Sequence, residues 1–480
     1  MDYPSLIYSH GAIDGVIAAE VFEDLKLDLL LTPSLIAALS SQCPESDISA
    51  RQAAYASIAA DSAGYETLLQ IVSSAESLYR FYIDADSEVE RDYAFAHICG
   101  LNSRFARLAA IAPGGDALVS RFRESFSAMV DSLEFRERDA QLERVLPLAK
   151  RVATVRFVMR GDNLKLNLDD GAPSLAERIY RSAADLELGI TQELSNPAMR
   201  LNARIYSAIA QLSPVEFTAL REFYERFGDG FDPAILRYAL ELNFYLEPLR
   251  LLGRAAEAGM SVTLPAICEE LRFRASGLCD LSLLSKSAHT EIVGNDVFLT
   301  PEEPFFFLSG ANGGGKTTYL RSVGIAALFA RSGLPVTAES ATLCAYSAIH
   351  THFPRDEQGE SRLAEERRRV DAILGHLPAK SLVLLNETYS TTTYEKSSQL
   401  TAQLSARLSE SGSHSIYITH QLSAADSALP LLTVSVDSEN RRTYRVVRAD
   451  SRTSSYASDI LRKYGLSREE LENSKIVDCD

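Results

Sequence analysis

A glycine-rich segment that ends in lysine and threonine constrains this chain more than any other feature. Residues 310–317 read Gly-Ala-Asn-Gly-Gly-Gly-Lys-Thr and follow the apolar run Phe305-Phe306-Phe307-Leu308. This spacing is typical of a phosphate-binding loop (P-loop) between a strand and a helix, because glycines let successive backbone N–H groups point at phosphates. The pattern predicts that the chain binds a nucleoside triphosphate. A glycine-rich turn without a ligand is the weaker alternative, since it would not require the strand and the Lys-Thr pair.

Each position of this segment has an expected task. Lys316 would reach the β- and γ-phosphates, and the Thr317 hydroxyl would bind Mg²⁺. The other expected nucleotide contacts come from the loop and the first helical turn: Gly310, Asn312, Gly313, Gly314, Gly315 and Thr318.

Two later apolar runs end in polar side chains. Residues 381–385 are followed by Asn386-Glu387, and residues 415–418 are followed by Thr419-His420. Because ligands of open α/β sheets bind at the carboxyl ends of the strands, we expect these residues to face the same ligand. Glu387 is the predicted base that orients and deprotonates the attacking water. His420 is interpreted as a γ-phosphate sensor, and the alternative is an ordinary residue at a strand end.

The order of these motifs resembles the MutS family of DNA mismatch repair ATPases. The loop continues as Thr318-Tyr319-Leu320-Arg321, close to the run that follows the phosphate loop in that family. Residues 359–366 lie where MutS proteins carry a Ser-Thr-Phe-x-x-Glu signature, and Ser361 and Glu366 keep its spacing. Asn295-Asp296-Val297-Phe298-Leu299 is similar to the segment whose aromatic residue stacks on adenine, and Ser454-Ser455-Tyr456-Ala457 to the segment that closes the domain.

This resemblance implies specific roles. The cofactors would be ATP and Mg²⁺, and Phe298 would stack on the base. Two subunits would face each other, so that Ser361 of one completes the γ-phosphate site of the other in a homodimer. ATP binding and hydrolysis would be coupled to DNA binding in repair or recombination.

The sequence also departs from the family pattern. Asn386 replaces the Walker B aspartate, and its amide oxygen can still hold a magnesium-bound water but lacks the charge of a carboxylate. Turnover is therefore expected to be slow. Arg362-Leu363 replaces the Thr-Phe of the signature, and the residues after Glu387 lack the family's glycines.

The first part of the chain is predicted to be helical. We expect a mostly α-helical core or lever region over residues 1–288, with sub-boundaries near 113–116 and 169–173, before an α/β P-loop NTPase domain of the MutS/ABC-like kind, with a mainly parallel sheet, over residues 289–480. A helix should begin at Asp232-Pro233 and be kinked or ended near Pro248. A β-hairpin is predicted over residues 152–168.

Mismatch reading is not expected of this chain. Mismatch sensors of the MutS family carry a Phe-x-Glu wedge in an amino-terminal domain. Phe135-Arg136-Glu137 and Phe223-Tyr224-Glu225 satisfy the bare pattern, but both lie in helix-like, charge-rich stretches, so chance explains them better.

The net charge of the chain bears on whether its partner is DNA. The chain has 48 Lys+Arg against 65 Asp+Glu, a net charge of −17, which opposes a general grip on nucleic acid phosphates. One stretch without acids contains Lys150, Arg151, Arg156 and Arg160. It is a candidate DNA contact, and a solvated basic face is the default alternative.

The remaining features predict a cytoplasmic protein. The six cysteines form no C-x-x-C pair, and no apolar run is long enough to cross a bilayer. His350 and His352 are expected to be structural rather than metal ligands. Two other functions stay open: an ATP-driven protein-interaction switch that does not bind DNA, and an ABC- or SMC-like ATPase. The second is disfavoured because no Leu-Ser-Gly-Gly signature precedes Asn386.

Overall fold

A computed structural model describes the fold of most of the chain. It describes residues 4–8, 13–15, 17–152, 155–160, 163–168, 203–228, 233–285, 292–354, 362–375, 377–390, 392–420, 429–437 and 441–449. The chain forms two compact units. The first contains Met1–Ser9 and Ala53–Leu246, and the second contains His10–Gln52 and Glu247–Asp480.

The described residues contain thirteen α-helices. In chain order they are α1 (Ala19–Asp24), α2 (Pro33–Ser40), α3 (Glu45–Ala60), α4 (Ser62–Ile83), α5 (Glu88–Ala109), α6 (Ala117–Asp131), α7 (Leu133–Val152), α8 (Ala203–Leu212), α9 (Pro214–Phe227), α10 (Tyr238–Glu257), α11 (Lys316–Arg331), α12 (Arg362–Gly375) and α13 (Tyr394–Glu410). Two short 3₁₀ turns, Pro233–Arg237 and Leu281–Ser285, accompany them. None of the helices in these ranges is both long and apolar enough to cross a membrane.

The same ranges contain fourteen strands. They are β1 (Ile13–Gly15), β2 (Ser41–Gln42), β3 (Val155–Arg160), β4 (Asn163–Leu168), β5 (Ala266–Cys268), β6 (Phe273–Leu278), β7 (Asn295–Leu299), β8 (Phe305–Ser309), β9 (Ser340–Cys344), β10 (Ala348–His352), β11 (Ser381–Asn386), β12 (His414–Ile418), β13 (Leu431–Val436) and β14 (Arg442–Arg448).

The first unit is built mainly from helices. Side chains at helical spacing meet in one aromatic-rich core, where Phe95 packs against Phe223 and Tyr93 against Tyr206. Capping side chains fix where the helices begin. The Ser87 hydroxyl accepts from the backbone N–H of Glu90, and the Asp116 carboxylate accepts from Leu118 and Val119. The expected helical first part is therefore confirmed.

The structure changes the predicted helix around Pro248, confirms the predicted hairpin and bears on one of the two predicted breaks. Residues 233–237 form a 3₁₀ turn before α10, and α10 continues for nine residues beyond Pro248. Burial of Leu246, Leu251 and Leu252 stabilises that helix on both sides of the proline. The predicted hairpin is present as β3 and β4, with Val155 opposite Leu168. The predicted break at 113–116 connects α5 to α6 in one unit, and the break at 169–173 lies outside the described residues.

The second unit contains a six-stranded sheet in the order β10-β11-β12-β8-β13-β14. Its first five strands are mutually parallel, and β14 alone pairs antiparallel. All six residues of β11 are buried, which explains the apolar run at residues 382–385. Val383 and Leu385 belong to the core that includes Leu404 and Leu408 of α13. Leu384 points the other way, where its Cδ1 lies 2.9 Å from the position a Cβ would take on Gly324 of α11. Mixed α/β architecture is thus confirmed for this part of the chain.

A second, four-stranded sheet in the order β5-β9-β6-β7 accompanies the first. Residues from near the start of the chain also belong to this unit. Arg321 Nε donates to the Asp24 carbonyl at 3.0 Å, and Thr351 Oγ1 donates to the Asp24 carboxylate at 2.7 Å. Arg51 Nη1 donates to the Ser332 carbonyl at 3.4 Å. The second unit is therefore assembled from segments that are far apart in sequence.

Candidate nucleotide-binding site

The glycine-rich segment connects the central strand β8 to the buried helix α11. Gly310, Gly313 and Gly315 have φ angles of 128°, 73° and 96°, a region that residues with a Cβ adopt only under strain. Gly315 is the N-cap of α11 and offers no side chain to the first helical N–H groups. The backbone therefore curls into a concave turn at the positive end of a helix, which is an arrangement that favours anions.

Lys316 folds back over this loop. Its Nζ donates to the carbonyl of Gly310 at 2.7 Å, to the carbonyl of Ala311 at 3.2 Å and to Asn312 Oδ1 at 3.3 Å. Burial lowers the pKa of Lys316, and Arg442 acts in the same direction, while the Glu387 carboxylate opposes them. A buried ammonium held by carbonyl oxygens is a cation that phosphate oxygens would satisfy more strongly.

Glu387 and His420 meet beside the loop. The Glu387 N–H donates to the Ile418 carbonyl at 2.9 Å, which ties the end of β11 to β12, and Glu387 itself has a φ of 52°. His420 Nε2 lies 3.0 Å from Asn312 Oδ1 and 3.4 Å from Glu387 Oε1. Both oxygens accept, so the arrangement favours a proton on Nε2.

The charge state of Glu387 follows from these neighbours. The hydrogen bond from His420 lowers the pKa of Glu387, burial opposes this, and the charges of His420 and Lys316 lower it further. The carboxylate is therefore ionised at neutral pH. An ionised carboxylate can accept a hydrogen bond from a water molecule and orient it.

Asn386 ends β11 directly before Glu387. Its side chain is 8% exposed, and among the described residues its Oδ1 has no hydrogen-bond partner. Buried polar oxygens are normally paired, so this acceptor fits a water in the shell of a Mg²⁺ ion. Together with the Thr317 hydroxyl it provides oxygen ligands without a carboxylate charge. These residues fit a weakly held Mg²⁺ ion.

Phe298 stands on β7 with its side chain half exposed. It lines a cavity of about 190 Å³ together with Phe306, Tyr319, Val446 and Arg448, among others. Arg448 is fixed there by an ion pair with Glu303. An apolar cavity with an aromatic ring and a guanidinium at its wall is suited to a flat heteroaromatic ring.

Two residues of β14 that the sequence did not indicate also reach the loop. Arg442 Nη1 lies 2.9 Å from the position a Cβ would take on Gly313, and Tyr444 Cδ1 lies 3.5 Å from the corresponding position on Gly315. The only sequence signal was the density of arginines over residues 441–448. Their approach depends on strand pairing, which no local pattern indicates.

Comparison with known proteins shows a similarity to MutS proteins over part of the chain. Residues 306–468 match the model of MutS domain V. The chain is therefore similar to the MutS family over these residues. It is 34% identical over 155 residues to the DNA mismatch repair protein MutS of Fervidobacterium nodosum, which covers 30% of this chain and 19% of the relative. It is 28% identical over 286 residues to MutS of Thermus caldophilus, covering 57% and 33%.

A mitochondrial relative matches as well. The chain is 34% identical over 121 residues to the mitochondrial DNA mismatch repair protein MSH1 of Arabidopsis thaliana, covering 25% of this chain and 11% of the relative. These MutS relatives are thus matched over a third of their own length or less. The resemblance seen in the sequence motifs is confirmed by these matches.

Several residues that carry the MutS resemblance lie outside the described residues. Ser361 and the segment 454–457 are among them, whereas Glu366 is buried in α12. In the candidate DNA patch, Lys150 is exposed at the end of α7. The side chains of Arg151, Arg156 and Arg160 lie outside the described part of the chain. His352 is buried and its Nδ1 lies 3.0 Å from the Thr388 hydroxyl, so it takes part in the hydrogen bonding of the core.

Proposed function

We propose that this chain is a MutS-like ATPase that binds ATP at the loop 310–317 and hydrolyses it slowly. The observation that carries this proposal is the position of His420, which joins Asn312 of the loop to Glu387 at the end of β11. A sensor that touches both the phosphate loop and the water-orienting carboxylate can respond to the presence of the γ-phosphate. Lys316 would exchange its bonds with the loop carbonyls for bonds with phosphate oxygens.

In the proposed reaction, Glu387 orients the water that attacks the γ-phosphorus. A bound Mg²⁺ ion, held by the Thr317 hydroxyl and through a water by Asn386, would neutralise charge on the phosphates. The lowered pKa of Glu387 keeps it ionised but makes it a weaker proton acceptor. That balance and the neutral amide of Asn386 both favour a slow, switch-like ATPase.

The proposed assembly is a homodimer. Ser361 of one subunit would complete the γ-phosphate site of the other, so ATP acts as a clamp between subunits. Within residues 1–288, the first unit, Met1–Ser9 and Ala53–Leu246, would act as the helical core or lever region for the ATPase domain 289–480, and the chain would not read mismatches. Phe298 would stack on adenine, since its ring lines the apolar cavity.

DNA is the proposed partner of the lever region, in repair or recombination. The names of the relatives as DNA mismatch repair proteins support this choice. The net charge of −17 favours the alternative, a switch that handles proteins without DNA. Retention on duplex and branched DNA, measured against salt with and without ATP, separates the two. DNA retention that falls with salt supports the first proposal, and no retention at low salt overturns it.

The nucleotide site is tested by Lys316→Ala, with ATP affinity measured by calorimetry. Loss of the buried ammonium is expected to abolish ATP binding, because it is the cation that the loop surrounds. Lys396→Ala is the matched control, since Lys396 is exposed on α13 of the same unit. Unchanged ATP affinity of the Lys316 variant would show that this loop is not the site.

A further inference from the structure

We propose that Arg442 is a second phosphate-contacting cation of this site, and that it lets the site hold a nucleoside triphosphate with less help from Mg²⁺ than a carboxylate-based site requires. This inference rests on the proposed function, because it concerns the same loop. Neither the loop motif nor the family motifs include position 442.

The path of β14 places Arg442 at the loop. Val434 pairs with Val446, but the next pair along the ladder is Val436 with Arg442, so β14 has two extra residues there. Thr443 closes this bulge by donating from Oγ1 to the Ser435 carbonyl at 2.8 Å. Bulges of this kind redirect side chains and occur often beside active sites.

The backbone conformation of Tyr444 and the hydrogen bonds around it indicate that the bulge is held in place. Its φ is 57°, a left-handed conformation that is unusual for a residue with an aromatic side chain. Asn295 of β7 secures the flanking backbone, since its Nδ2 donates to the Tyr444 carbonyl at 3.1 Å and its Oδ1 accepts from the Val446 N–H at 2.7 Å. The strained residue therefore lies in a segment that is fixed from two sides.

The guanidinium of Arg442 lies against the concave loop. Its Nη1 is 2.9 Å from the Cβ position of Gly313, so a side chain at position 313 would displace the guanidinium from the loop. Arg442 is exposed, and among the described residues its side chain has no ion pair or hydrogen bond. Its N–H donors are thus available to phosphate oxygens, which arginine binds in a bidentate manner.

The charges of the site explain what this arginine would do. Lys316 and Arg442 each bring one positive charge, Glu387 brings one negative charge, and Asn386 brings none. Arg442 is close enough to lower the pKa of Lys316, which shows that both cations act on one region. A site with an excess of protein cations attracts a polyphosphate before any metal arrives. The same excess reduces the benefit of a divalent ion.

The test measures the affinity for adenosine 5′-(β,γ-imido)triphosphate in Mg²⁺ and in excess EDTA for the full chain and for Arg442→Ala. We expect Arg442→Ala to weaken binding by about 10- to 100-fold in EDTA, the range for losing a charge-assisted hydrogen bond, and much less in Mg²⁺. Arg442→Lys should recover part of the loss. Arg445→Ala is the matched control, because Arg445 is an exposed arginine of the same strand.

The outcomes separate this inference from the proposed function. If Lys316→Ala loses binding but Arg442→Ala equals the parent protein in both buffers, Arg442 is not a phosphate contact and the inference is wrong. An equal loss in Mg²⁺ and in EDTA overturns the metal-sparing role. If Lys316→Ala also binds as the parent does, the proposed function itself fails. Thermal unfolding of each variant, which should match the parent, shows that the fold is kept.

Discussion

Restoring a carboxylate at position 386 should destabilise the protein in the absence of Mg²⁺. The Asn386 side chain is 8% exposed, and its Oδ1 lacks a partner among the described residues. In the absence of a bound metal ion, burial would raise the pKa of a carboxylate there by about two to three, and each pKa unit corresponds to ~1.4 kcal/mol. The loss develops as the pH rises above the unfolded pKa and is nearly complete at pH 7, which lies above the raised folded pKa. Asn386→Asp should therefore lower the free energy of unfolding by roughly 3–4 kcal/mol.

Thermal unfolding in EDTA measures this loss. For a unit of this size the midpoint should fall by roughly 6–16 °C. Saturating Mg²⁺ and ATP should restore most of the difference, since the metal compensates the new charge. ATP hydrolysis by the variant should also reach its maximal rate at a lower Mg²⁺ concentration. Gln399→Glu adds the same charge on the exposed face of α13 and serves as the control. An unchanged midpoint of Asn386→Asp in EDTA would refute the argument that this position is a desolvated metal-facing site.

Two further predictions concern other groups. Glu387→Gln should keep ATP affinity but reduce turnover by about 100-fold or more, as expected for loss of a water-orienting base, and should increase the dimer population with ATP; turnover equal to the parent would exclude that role. Burial lowers the pKa of both His97 and His414 to about 4. As the pH falls, these histidines bind protons in the unfolded chain near pH 6.5 but in the folded protein only near pH 4. The free energy of unfolding should therefore fall between pH 6.5 and 4, by on the order of 3 kcal/mol for each histidine. Chemical denaturation of His97→Phe across this window should show a smaller pH dependence, and an unchanged slope would contradict the burial argument.

Local sequence patterns predicted the strands that carry the site, but not every residue that reaches it. The runs around Phe305, Val383 and Ile416 are strands, because a fully buried parallel strand needs continuous apolar residues. Lys316 and Glu387 follow directly from motifs attached to those strands. Arg442 lies at the loop only because a bulge changes the pairing of β13 and β14, a feature set by tertiary contacts. The sequence pattern places Asn295 only in the segment that carries Phe298, whereas in the structure its amide holds the backbone of β14.

The division of the second unit between two distant segments affects how the chain can be synthesised and cut. Asp24 and Arg51 emerge from the ribosome long before their partners Arg321, Thr351 and Ser332. At ordinary translation rates, the roughly 200 residues between Gln52 and Glu247 take about 10–40 s to make. The segment His10–Gln52 must wait without its partners during that interval, while Ala53–Leu246 can already fold. A fragment that begins at residue 289 would lack this segment, leaving Arg321 of α11 and the buried Thr351 of β10 without these partners.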